Sequence, residues 1–150
     1  MVVNGATKMG DMKHFQQQME LYLELDLSIE YVEYSMQLFA LQGLGAADAI
    51  ANILPPNFDL QNMAFMTGAD TTLNGIDRCH ITRCGYTGED GFEIVMLTEY
   101  TVDIASLLED ETIQPIGLGA RDSIRLEAGL CHYGNDLNED ITILHLQKVR

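Results

Sequence analysis

Asn74-Gly75 sits between two short runs, Ala69 to Leu73 and Ile76 to Arg83, that both read as strands. Both residues tolerate positive φ at little cost, so the pair folds one strand back onto the next. That one dipeptide restricts the fold more than any other feature, because it demands an antiparallel sheet. Phe92 to Leu97 adds a further strand, with Phe92, Ile94 and Met96 on one face.

Helical patterns flank these strands. Met12, Phe15, Met19 and Tyr22 or Leu23 recur at helical spacing from about Asp11, which reads as the N-cap. Ala46 to Leu54 reads as a small-residue helix stopped by Pro55-Pro56. Tyr100 to Leu108 and Ala120 to Leu130 read as two more, the second with Gly129 near its C-terminal cap. Val2 to Asn4 reads as the end of a strand, Ser28 to Glu33 as an imperfect strand, and Met36 to Leu41 as a short buried one. Phe58 to Met66 reads as loop or a turn of helix. Strands and helices mix without a βαβ rhythm, so the expected class is α+β, antiparallel sheets with packed helices.

The chain has 150 residues, 47% of them apolar, enough for a real core in one domain-sized unit. No apolar run reaches the roughly 18 residues of a membrane span, and no secretory or transit segment is visible at Met1. Net charge is −15, from 23 acids and 8 bases. That balance argues against nucleic acid and against an anionic membrane surface, since both are held by Lys and Arg. The cysteines Cys79, Cys84 and Cys131 are odd in number and lack metal spacing, which fits reduced thiols. His14, His80, His132 and His145 are scattered, with no metal-ligand pattern. The methionines read as core filling.

Two segments carry the chemistry. The first is Thr82-Arg83-Cys84-Gly85-Tyr86-Thr87-Gly88-Glu89-Asp90-Gly91-Phe92-Glu93-Ile94. Its plainest reading is a hairpin tip, with Gly88 and Gly91 supplying backbone conformations closed to other residues and Asp90-Gly91 closing a turn. Glu93 stands out, because a carboxylate among apolar neighbours needs a partner. Alternation also turns it away from Phe92 and Ile94, which fits a side chain facing water as well; spacing leaves both readings open. The second segment is Gly117 to Leu130. Arg121 and Arg125 lie one turn apart and share a face. Surface pairing with Asp122 or Glu127 is the plain reading. Two of only 8 bases standing here suggests an anion instead.

Together these segments resemble the aminomethyltransferases, the folate-binding T-proteins of the glycine cleavage system. The likeness continues through Val2-Val3-Asn4, Asp11 to His14, Leu38 to Gly43 (with Leu44 where the family has Pro), Phe65-Met66-Thr67 and Tyr133 to Leu137. The resemblance implies the middle portion of that fold, with residues 1–150 spanning parts of the family's first two domains and no separate linker. It implies transfer of an aminomethyl group from the lipoyl arm of the H-protein to tetrahydrofolate, with release of ammonia, in a mitochondrial setting. Glu93 and Arg121 then correspond to folate contacts, and Asn4 and Tyr86 to further residues lining the pocket. A pterin presents an N–H and an amino group side by side, which one carboxylate accepts together, while an Arg fork suits carbonyl and carboxylate oxygens.

Two departures shape the expectation. The family's catalytic aspartate lies upstream of the Val-Val-Asn strand, so no catalytic residue is assigned in this chain. Thr142 to Leu146 keeps the Thr of the family's Thr-x-Pro-x-Glu-Ala stretch but not its Pro or Glu. The sequence therefore reads as a truncated aminomethyltransferase, inactive alone and inclined to self-associate through uncovered core. Two alternatives stand beside it. One is a non-catalytic folate- or partner-binding fragment. The other is the folate domain of a dimethylglycine or sarcosine dehydrogenase relative, which would need a flavin domain for which these residues hold no fingerprint.

Overall fold

A computed structural model describes residues 2–32, 34–109 and 113–141. Glu33 and the stretch Thr142 to Leu146, including His145, lie outside them. The chain divides into two compact units, one built from residues 1–31 and 131–150, the other from residues 32–130.

The larger unit holds a four-stranded antiparallel sheet, and the α+β class expected from the strand and helix patterns holds. Its strands are β1 (Met36–Gln42), β2 (Thr67–Leu73), β3 (Ile76–Arg83) and β4 (Gly91–Leu97), in the order β1-β4-β3-β2. The β2–β3 hairpin turns at Asn74 (φ 48°) and Gly75 (φ 81°), the two positive-φ positions the dipeptide was expected to supply. The β1–β4 register pairs Ala40 with Glu93 and Gln42 with Gly91, and β3–β4 pairs Thr82 with Glu93.

Period-2 alternation then sorts the side chains. Ile81, Phe92, Ile94 and Met96 are fully buried on one face. They form one core with Ile50 of α2 (Ala46–Ala51) and with Ile104 and Leu108 of α3 (Thr101–Leu108). The opposite face carries Leu38, Ala40, His80, Thr82, Glu93 and Val95, all half-buried or exposed among the described residues. β1 is an edge strand in which only Leu41 is buried, not the buried strand its apolar run suggests. The run is apolar on both faces, but among the described residues only the face of Phe39 and Leu41 joins the core.

The last helix of this unit, α4 (Leu118–Glu127), ends at Gly129 with φ 72°. The Leu130 N–H donates to the Arg125 carbonyl at 2.9 Å and the Gly129 N–H to that of Leu126 at 3.0 Å, so the orphan carbonyls are closed by a Schellman motif.

The smaller unit contains α1 (Lys8–Glu20), preceded by a 3-10 turn at Gly5–Thr7. α1 begins three residues before Asp11, which therefore lies in the first turn instead of capping it. There it accepts a 2.7 Å hydrogen bond from the Thr7 hydroxyl, and its charge suits the positive end of the helix. Two expected strands are absent among the described residues. Asn4 has an extended backbone (φ −66°, ψ 135°) but belongs to no sheet, and residues 28–32 are exposed coil. Neither segment has a neighbouring strand to complete a ladder, and β propensity alone does not hold an unpaired strand.

Candidate functional site

The loop joining β3 to β4 runs from Cys84 to Asp90, and two anchors hold it. Arg83, the last residue of β3, reaches Asp90 with both arms of its guanidinium: Nε donates to Oδ1 at 3.0 Å and Nη2 to Oδ2 at 2.6 Å. Its Nη1 also donates to the Leu60 and Met63 carbonyls at 3.4 and 2.9 Å, and the group lies 5.7 Å from the Phe92 ring centroid. The hydrogen bond with Arg83 holds the Asp90 carboxyl below the usual carboxylate range. Arg83 is thus fully engaged in structure, a role not foreseen from its place in the motif.

The second anchor is Gln42 at the end of β1. Its Nε2 donates to the Cys84 carbonyl at 3.1 Å and to that of Phe92 at 3.5 Å, and its Oε1 accepts from the Thr87 hydroxyl at 3.4 Å. Gly43 adds a backbone bond, its N–H donating to the Asp90 carbonyl at 2.9 Å. Gly88 has φ +79°, and a Cβ there would stand 2.8 Å from the Ala128 Cβ, so the loop packs directly on the end of α4. Gly91 has no positive φ. Its missing Cβ is required instead by the Gln42 amide, whose Cδ and Nε2 lie 2.5 Å from where that carbon would be.

This packing brings two of the expected site residues together. The Arg121 guanidinium, on α4, lies over the Tyr86 ring at 5.5 Å from its centroid. Arg121 is exposed, and no carboxylate among the described residues pairs with it. Arg125 behaves differently, making the pairing with Asp122 that its spacing suggested. It is 3% exposed, its Nε donates to Asp122 at 2.7 Å and its Nη1 donates to the Leu130 carbonyl at 2.9 Å. The two residues share a helix side, but Arg125 turns inward to close the helix end while Arg121 lies over the loop.

Glu93 is half-buried on the open face of β4, paired in register with Ala40 and Thr82. Its neighbour is Cys84: burial first, then the Glu93 charge, push that thiol up. No described cation pairs with Glu93. Asn4 belongs to the smaller unit, where its side chain is exposed and its carbonyl accepts from the Thr7 N–H at 3.2 Å. That unit also has an open cavity of about 570 Å³ lined by Thr7, Asp11, His14, Tyr133 and Glu139 among others. Cys79, Cys84 and Cys131 form no disulfide among the described residues.

Chemically, the larger unit offers an uncompensated carboxylate on a sheet face and an uncompensated guanidinium on an aromatic plate. The first accepts paired N–H donors and the second binds anionic or carbonyl oxygens.

Comparison with known proteins agrees with the motifs. Residues 1–147 match the family model described as the GCVT N-terminal domain. The mitochondrial aminomethyltransferase of Dictyostelium discoideum is 42% identical over 94% of this chain, and that of Gallus gallus 47% identical over 75% of it. The crystal structure of glycine cleavage system aminomethyltransferase T from Bartonella henselae superposes with a TM-score of 0.73 at 35% identity, covering 93% of this chain. The chain spans 37% of the Dictyostelium protein, 29% of the Gallus protein and 36% of the Bartonella chain. By these matches, the chain belongs to the GCVT aminomethyltransferase family.

Proposed function

We propose that this chain supplies the folate-facing part of an aminomethyltransferase, which moves an aminomethyl group from the lipoyl arm of H-protein to tetrahydrofolate and releases ammonia. In this reading Glu93 accepts the adjacent N–H and amino donors of the pterin, and Arg121 meets carbonyl or carboxylate oxygens. Tyr86 offers its face beneath Arg121. The reduced pterin, when bound, supplies the nitrogens that take up the one-carbon unit. Residues 1–150 would hold parts of the family's first two domains. The mitochondrial setting and the H-protein partner rest on the relatives' names and on the family.

One observation carries the reading. Among the described residues Arg121 has no carboxylate partner, in a chain of net charge −15 where acids outnumber bases by 23 to 8. A guanidinium with no described carboxylate partner, 5.5 Å from the Tyr86 ring centroid, is prepared for an outside anion. Glu93 is its complement, since no described cation occupies its acceptor positions.

Calorimetric titration with a stable reduced folate tests the reading. Each charge-assisted bond is worth about 1.5–3 kcal/mol, so Glu93→Ala and Arg121→Ala should each weaken binding at least about tenfold. Affinities equal to the parent's would sink the assignment, as would a parent chain that binds no folate.

A further inference from the structure

We infer that Gln42 is a positioning residue: its amide latches the Cys84–Asp90 loop to β1 and so holds Tyr86 beneath Arg121, and Gly85 and Gly91 are glycines to make room for that amide.

Three observations converge on it. The Gln42 amide uses both of its ends on the loop and its margins, donating to the Cys84 and Phe92 carbonyls and accepting from Thr87. A side chain on β1 that bonds both the loop and the first residues of β4 fixes all three at once. Next, a Cβ on Gly85 would collide with the Gln42 amide, and one on Gly91 would stand 2.5 Å from it. Neither glycine has a left-handed φ, so backbone freedom does not explain either residue. Both empty positions are filled by the same amide. Finally, Tyr86 lies between two residues that Gln42 touches or crowds, Gly85 and Thr87. The ring that receives Arg121 is therefore carried on the latched segment.

The latch is distinct from the Arg83–Asp90 anchor. Arg83 ties the loop's end to the carbonyls of residues 60 and 63. Gln42 ties its beginning and middle to β1. The link to folate rests on the function proposed above; the latch itself does not.

Two readouts separate these layers. Amide hydrogen exchange over Gly85 to Asp90, with the ring-current shift of the Arg121 side-chain protons, reports the latch without any ligand. Titration with a stable reduced folate reports its use. Gln42→Ala should speed loop exchange about tenfold, the equivalent of one hydrogen bond, and shrink the Arg121 ring-current shift. Exchange in β3 and β4 should stay within about twofold of the parent. Gly85→Ala should cause the same loosening, and adding it to Gln42→Ala should change loop exchange by less than about twofold, because the collision partner is gone. Thr87→Val removes the Gln42 tie from the loop side together with the Glu89 N–H bond to the same hydroxyl; exchange at loop amides other than Glu89 should speed about threefold, and it serves if Gln42→Ala does not fold. Folate affinity should fall in step with loop loosening. Unchanged loop exchange in Gln42→Ala, or in Thr87→Val where that variant stands in, would overturn the latch. So would a Gly85→Ala defect of equal size with and without Gln42. Loosening of the loop in a parent chain that binds no folate would uphold the latch while refuting the folate reading.

Discussion

On β4, Phe92, Ile94 and Met96 point to one side and are fully buried, whereas Glu93 and Val95 point to the other and are half-buried. The first side has α2 and α3 packed on it, and its energy is burial of apolar area. The second side carries a carboxylate, a thiol, Thr82 and His80, none of them fully buried. Stability and chemistry are thus divided by the two-residue period of a strand. The loop at the strand's end repeats the division with two arginines. Arg83 is paired with Asp90 and two carbonyls, whereas Arg121 faces an aromatic ring with no carboxylate partner among the described residues.

The largest expected effect tests the buried side. Phe92→Ala deletes a fully buried ring and should cost about 3–5 kcal/mol in urea unfolding. Residual reduced-folate affinity, measured where the variant is still folded, should be unchanged. A loss below about 1 kcal/mol would mean that this face is not the core, because even Ile→Val truncations in cores approach that figure.

Next in size is the paired arginine. Arg83→Ala removes the guanidinium from Asp90 and from the Leu60 and Met63 carbonyls, leaving Asp90 only the Gly91 N–H, and should cost about 2–3 kcal/mol. The pair also sets a pH dependence. Asp90 is held below the usual carboxylate range in the folded state by its bond to Arg83. Its contribution is therefore complete above the unfolded carboxylate pKa of about 4 and is lost as pH falls through the lower, folded value. Stability of the parent should drop with acid below about pH 4, and Arg83→Ala should flatten that part of the curve. An unaltered acid limb in the variant would show that other carboxylates produce it.

Legibility in the sequence followed the range of the interactions. The β2–β3 turn and the Gly129 cap were readable because positive φ is a local demand that Asn and Gly meet. Phe92, Ile94 and Met96 were readable because strand alternation is local too. Asp11 misled as a cap because α1 buries no described residue, so its apolar spacing carried little information about where it starts. Residues 28–32 and Val2 to Asn4 have strand-like patterns without partners, and pairing is a long-range event. At the site, Glu93, Arg121, Asn4 and Tyr86 were named through family resemblance. The stacking of Arg121 on Tyr86 spans 35 positions and had no local signal. Gln42 was missed for the same reason, since its importance arises from a β1–β4 register that sets it opposite Gly91.

The smallest expected effect concerns Cys84, and it tests whether Glu93 truly shares the open face with that thiol. Burial raises the Cys84 pKa most, and the Glu93 charge raises it further. Cys79, fully buried, is also raised, chiefly by burial, while Cys131 is exposed. The thiolate is the reacting form, so alkylation near pH 8 should be fastest at Cys131, slower at Cys84 and slowest at Cys79. Glu93→Gln keeps the shape and removes the charge. The Cys84 thiol should then ionise more easily and its alkylation rate should rise about two- to fivefold, with Cys79 and Cys131 unchanged. Burial persists in the variant, so Cys84 should remain slower than Cys131. Peptide mapping after timed exposure to iodoacetamide reads all three sites in one experiment. A Cys84 rate that does not respond would place the Glu93 carboxylate away from the thiol. It would then point to water, the other reading that strand alternation allows, and the carboxylate would be free of the face on which the folate assignment depends.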